Sequence, residues 1–140
     1  MLRHMSLLVV AACLIGCSGG RTASTTQSSE QAFQLGRDAF EARNYDEAVR
    51  QLDDALLRKG LNADLAAEAL MMRAKANIQL NRPKEASRDL VEVSLGPVPR
   101  EEVLAAKGDV AILEGNLDEA RRLYAKAKQL NPAVVLPEKL

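Results

Sequence analysis

Histidine and cysteine are almost missing from this chain. The one histidine is His4, and the two cysteines are Cys13 and Cys17. Thiol nucleophiles, cysteine-held zinc and histidine acid–base chemistry are therefore excluded from everything beyond Cys17. No disulfide can form there either, so stability must come from packing. Tryptophan is absent, and two Phe and two Tyr are the only aromatics. A core must then be made from Ala, Leu, Val, Ile and Met, which suits closely packed helices. Charge of one sign is not in excess, with 19 basic and 19 acidic residues. Such a balance gives none of the basic footprint expected of a nucleic-acid binder. Long hydrophobic runs are missing too. Met5 to Ile15 is apolar apart from Ser6, well short of the roughly 20 residues that span a bilayer.

That short run has a different meaning. Arg3 precedes it and small residues close it, the layout of a secretory signal. Its end, Leu14-Ile15-Gly16-Cys17, resembles the lipobox of bacterial lipoproteins. The resemblance implies cleavage before Cys17 and a diacylglycerol on the Cys17 sulfur, with acylation of the new amino group often following. Residues 1–16 would be the signal peptide, and the covalent lipid would be the only non-protein group. Two or more acyl chains give a stable anchor, at about 0.8 kcal/mol per buried methylene. The residue after Cys17 is Ser18. In enteric lipoproteins an Asp there retains the protein at the inner membrane, so the resemblance implies the outer membrane, facing the periplasm. A Gram-positive host would place the protein on the outer face of its only membrane.

Residues 17–29 read as a tether. Ser18 to Ser29 is Ser, Thr, Gly and Gln with one Arg and one Ala, has almost no bulk, and cannot offset its own ordering entropy. A flexible segment of that length spans about 19 Å on average.

The remainder repeats. Leu35-Gly36, Ala39-Phe40, Asn44-Tyr45-Asp46-Glu47-Ala48, Leu52 and Ala55 form one unit. Ala74, Asn77-Ile78, Asn81-Arg82-Pro83-Lys84-Glu85-Ala86, Leu90 and Val93 form the next. Gly108, Ala111-Ile112, Gly115-Asn116-Leu117-Asp118-Glu119-Ala120, Tyr124, Ala127 and Leu130-Asn131-Pro132 form the third. Ala48 and Ala86 are 38 residues apart, Ala86 and Ala120 are 34. Gly36, Ala74 and Gly108 are small enough for a second helix to approach, and Ala48, Ala86 and Ala120 allow the same from the other side. Leu52, Leu90 and Tyr124 lie one turn on, along the same face. Asn44 with Glu47 and Asn116 with Glu119 are spaced as N-caps. Pro83 suits a first turn, where its missing N–H costs nothing.

This pattern resembles the tetratricopeptide repeat, a helix-turn-helix unit of about 34 residues. The expected fold is all-α, an α-solenoid of three repeats and about six helices after the tether. The domain covers 30–132, in repeats at about 30–62, 63–99 and 100–132, with a tail at 133–140. Helices are expected at 30–42, 45–58, 63–80, 83–94, 100–114 and 117–130, with Leu95-Gly96-Pro97-Val98-Pro99 breaking the fourth from the fifth. The open C-terminal edge is covered either by Val134, Val135 and Leu136 or by a partner, a second copy included.

In this family the first helices of successive repeats line a groove for peptides. Carried over, that groove holds Phe33, Arg37, Phe40 and Glu41, then Met71, Lys75, Ile78 and Gln79, then Ala105, Asp109, Ile112 and Leu113. Phe33 and Met71 are the expected exposed anchors. Phe40, Ile78 and Ile112 have packing between repeats as an equal alternative. Arg37 and Lys75 on an apolar floor would suit an apolar or acidic peptide. Asp53-Asp54 and Glu101-Glu102 diverge on a helix surface, so a carboxylate hydrolase is the outlying alternative.

The expected function is non-enzymatic: a membrane-anchored adaptor for a protein or peptide partner in the bacterial envelope. One finer role resembles the pilotins that assemble secretins or pili; the other resembles adaptors for cell-wall enzymes. Cys17→Ala should abolish lipid transfer and cleavage before residue 17. Mass spectrometry of the mature N-terminus checks this, and an unmodified Cys17 or a chain starting elsewhere would refute it.

Overall fold

The computed structural model describes residues Ser28 to Glu138 and Leu140. The expected signal segment, Cys17 and the tether up to residue 27 lie outside the described residues. Six helices follow one another: α1 (Ser29–Glu41), α2 (Tyr45–Leu57), α3 (Ala63–Gln79), α4 (Pro83–Val93), α5 (Arg100–Leu113) and α6 (Leu117–Leu130). There is no strand among the described residues, and the all-α repeat solenoid expected from the sequence is what forms. No helix among the described residues is long and apolar enough to cross a membrane.

The helix starts follow local chemistry. Ser28 accepts from the Gln31 N–H at 3.1 Å, and the Gln31 side chain accepts from the Ser28 N–H at the same distance. Those two bonds satisfy donors that a helix start leaves without partners. Ser29, also assigned to the tether by composition, is buried, and its hydroxyl accepts from the Gly60 N–H at 3.1 Å. Both serines thus belong to the domain. Asn62 and Asn116 cap α3 and α6 through their side chains, at 2.9 and 3.3 Å. Asn44 stands at the N-cap of α2 without a side-chain bond. Its expected partner Glu47 is engaged by Arg50 and Gln51 instead. Pro83 opens α4 as expected.

Each hairpin turns in the same way. Arg43, Asn81 and Gly115 take left-handed backbone, at φ 60°, 56° and 77°. Beside them, the Asn44, Arg82 and Asn116 N–H groups each donate at 2.8 Å to the carbonyls of Ala39, Asn77 and Ala111. The N–H of each left-handed residue bonds Phe40, Ile78 or Ile112 in turn. This paired closure satisfies carbonyls at the end of one helix while aiming the chain into the next.

Packing then pairs the helices. Ala48, Ala86 and Ala120 have no exposure at all, and Leu52 and Leu90 have none either. The places opposite Gly36 and Gly108 are filled by the Leu52 side chain and the Tyr124 ring. Helix α3 lies at the centre, against α1, α2, α4 and α5. Leu70, Met71 and Ala74 join one apolar cluster with Ala86, Leu90, Val93, Val103, Ala106 and Val110. Ala69 joins another with Ala32, Phe33, Leu52 and Ala55. Burying a side chain such as Phe33 or Leu52 contributes about 1.5–3 kcal/mol.

A Cβ on Gly36 would lie 2.7 Å from the Leu52 Cγ, and fully buried Leu52 cannot swing away. Gly36→Ala should therefore destabilise the domain. Overpacking costs about 1–3 kcal/mol, outweighing the roughly 1 kcal/mol gained in helix propensity. Thermal denaturation should show a lower midpoint; an equal or higher one would mean the two helices separate cheaply.

Candidate functional site

The added length of the middle repeat shapes the surface. Helix α3 has 17 residues, against 13 in α1 and 14 in α5. Measured from Gly36, Ala74 and Gly108, the excess lies at its N-terminal end. Most of the four residues by which the 38-residue interval exceeds the 34-residue one are taken up there. The extra turn carries Asp64 out beside a cleft.

That cleft has a volume of about 580 Å³. Its walls are Phe40 from α1 and the Pro97-Val98-Pro99 segment before α5. Between them α3 presents Met71, Met72, Asp64, Glu68 and Lys75, and α5 adds Glu102. Phe40 is steadied by Tyr45, whose ring meets it edge-on at 5.6 Å between centroids. Val98 packs against the core, which fixes that wall. Lys75 Nζ lies 3.1 Å from Glu102 Oε2, spanning the second and third repeats.

Glu30, Glu68 and Glu102 each stand six residues before the small residue of their repeat, and Arg37, Lys75 and Asp109 each follow it by one. The counterpart of the Lys75–Glu102 pair would join Arg37 to Glu68. Arg37 instead donates to Gln34 on its own helix, and Glu68 is left without a partner among the described residues.

The expected groove residues divide accordingly. Phe40 and Lys75 line the cleft. Met71 lines it too, yet it is only 4% exposed and belongs to the core. Phe33 is 1% exposed, enclosed with Ala32, Leu52 and Ala55, and is no groove contact. Ile78 packs half-buried against the core, the alternative reading for it. Neither Arg37 nor Lys75 is a free cation, because each is held by a side chain of this chain. Asp109 accepts the Tyr124 O–H at 2.6 Å, so it braces α5 on α6. Asp64, Glu68, Met72, Pro97, Val98, Pro99 and Glu102 were not expected in the groove. The longer middle interval was the signal for Asp64.

A second charged cluster holds repeats together. Arg73 donates from Nε to Asp89 at 2.9 Å and from Nη2 to the other Asp89 oxygen at 2.5 Å. Its Nη1 reaches Asp53 of α2 at 2.6 Å. Burial alone would lower the Arg73 pKa; the bonds to Asp89 and Asp53 and their charges outweigh it and raise the value. Arg82 adds a bond to Asp46 at 2.8 Å. No buried side-chain nitrogen or oxygen among the described residues lacks a hydrogen bond.

Burial pushes the Asp109 carboxyl above its ordinary 3.8, although the Tyr124 bond and the Lys75 charge pull the other way. Burial also raises the Tyr124 phenol, with the Asp109 bond and charge adding to the shift. For Asp109 the sign is that of a raised acid. Its contribution is fully present below pH 3.8 and is lost as pH rises through the higher folded value. Asp109→Asn, which keeps an acceptor for Tyr124, should remove that fall and leave the domain at least as stable at neutral pH. Tyr124→Phe, which strands the carboxylate, should cost about 1–3 kcal/mol there. Urea midpoints from acid to neutral pH check both, and an Asp109→Asn profile parallel to the parent would refute the assignment.

Two family models described as tetratricopeptide repeat match this chain, one over residues 33–102 and one over 101–134. No curated protein matches it. The first model alone spans half the sequence, the two together reach all six helices, and the small residues, hairpins and helix pairs repeat in step: the chain belongs to the tetratricopeptide repeat family.

Proposed function

We propose that the protein is a membrane-anchored adaptor that presents its cleft to a protein segment in the bacterial envelope. The observation that carries this reading is the 580 Å³ cleft across the first helices of the repeats, with Met72, Phe40 and Val98 offering apolar surface. Repeats of this kind build extended binding surfaces. The lipobox-like end at Cys17 supports attachment through lipid, and Ser18 supports the outer membrane. Arg73, Asp53 and Asp89 are spent on helix-to-helix bonds.

Two finer roles follow from the anchor. A pilotin-like protein would escort secretin or pilus subunits to the outer membrane. An adaptor for cell-wall enzymes would hold such an enzyme near its substrate. The chemistry of the cleft fits either, and the identity of what it holds separates them.

A photo-crosslinking amino acid at Met72, and another at Arg88 away from the cleft, test the reading in living cells. A discrete adduct from Met72 alone, in the membrane fraction and released by Cys17→Ala, is the expected result. Mass spectrometry of that adduct distinguishes a secretin or pilus subunit from a cell-wall enzyme. Equal adducts at both positions, or none at Met72, would mean that the partner uses another surface.

A further inference from the structure

The cleft has a chemical preference of its own. Of its four charged side chains, Asp64, Glu68 and Glu102 are acidic and Lys75 alone is basic. Lys75 is already bonded to Glu102. Asp64 and Glu68 are exposed and have no hydrogen-bond or ion-pair partner among the described residues. They stand one turn apart on α3, on one side of the helix. An incoming carboxylate would meet two unneutralised carboxylates and no available cation, whereas an incoming ammonium or guanidinium would meet both. This reverses the preference that Arg37 and Lys75 suggest on sequence grounds.

The apolar surface sets the second half of the preference. Met72 is unbranched, polarizable and only half-buried, and such a side chain adapts to varied apolar partners. Pro97 and Pro99 have restricted backbones, and Val98 between them is anchored in the core. A soft floor against a stiff wall accepts one bulky apolar side chain, beside a rim that accepts a cation.

We propose that the cleft takes a partner segment in which a large apolar residue is flanked by lysine or arginine. The assignment rests on the cleft being the partner site. Long-range attraction of opposite charges speeds encounter and is weakened by salt, so capture should be salt-sensitive.

Panning a random dodecapeptide phage library on the purified full-length chain tests this. Enriched peptides should place Leu, Ile, Met or Phe close to Lys or Arg. A synthetic peptide from that set should bind about tenfold more weakly to the variant carrying Asp64→Asn with Glu68→Gln, a loss of about 1.4 kcal/mol. The same variant should show a flatter dependence of affinity on salt. Both substitutions are of exposed side chains, and circular dichroism confirms that the helices remain. Enrichment of acidic or uncharged peptides, or affinity unchanged in the double variant, overturns the cationic assignment. Met72→Arg separates the two levels of the argument. Peptides that lose binding to it but ignore the double variant occupy the cleft without needing its carboxylates. Peptides that ignore both bind elsewhere, and the cleft itself is then refuted as the site. A library that yields no binder overturns both readings. Self-association in sedimentation that the double variant abolishes would make a second copy the occupant and overturn a separate partner.

Discussion

Leu52 and Tyr124 reach full or near-full burial because the helix opposite each has a glycine where a side chain would be. That contact is the constraint on which the rest depends. With Gly36 and Gly108 in place, α1 and α5 come close enough to their second helices for the alanines at 48 and 120 to be sealed from solvent. Ala74 does the same in the middle pair with a single methyl group. A short, aromatic-poor core becomes sufficient only at such distances, because dispersion and exclusion of water both require close contact. Large side chains at these positions would hold the helices apart and leave the small residues around them without partners.

Close pairing within a repeat does not orient one repeat against the next. Helix α3 does that on two sides. Its apolar residues enter both core clusters, and its Arg73 links α2 to α4 through Asp53 and Asp89. The Asp89 side chain is 6% exposed and the Arg73 side chain 21%. Stranding one member of a buried pair typically costs about 3–5 kcal/mol, so the link enforces a particular stacking more than it adds net stability. The cleft inherits its shape from this arrangement. Its floor is the outward side of the same helix whose inward side is core, which is why Met71 serves both.

The repeats, their hairpins and the helix limits were legible in the sequence, because small residues at recurring intervals report directly on which faces must touch. The cleft was legible only in part. Phe33 and Met71 occupy matching places in neighbouring repeats, yet position along a repeat says little about depth, and both are buried by neighbours distant in sequence. Arg37 and Lys75 could be placed on the right helices but not paired, since Gln34 and Glu102 capture them through side-chain geometry that spacing leaves open. Asp64 was signalled by the lengthened interval, whose meaning depends on knowing that α3, rather than a loop, absorbs it. Asn44 shows the same limit on a smaller scale. Its spacing from Glu47 is right for a cap, yet the Asn44 side chain makes no cap bond, because spacing does not fix side-chain orientation.

The three hairpin turns share one backbone path and three different residues at its left-handed position. Gly115 adopts it freely, Asn81 tolerates it, and Arg43 carries the steric penalty of about 1–2 kcal/mol that a side chain meets there. The conformation is therefore imposed by the helices on either side rather than chosen by the residue. In evolutionary terms the turns are interchangeable parts. A turn can be copied from one repeat into another, and a duplicated repeat arrives with its joint already compatible. The residue at the joint changes the energy of the turn, while its backbone path stays the same in all three repeats.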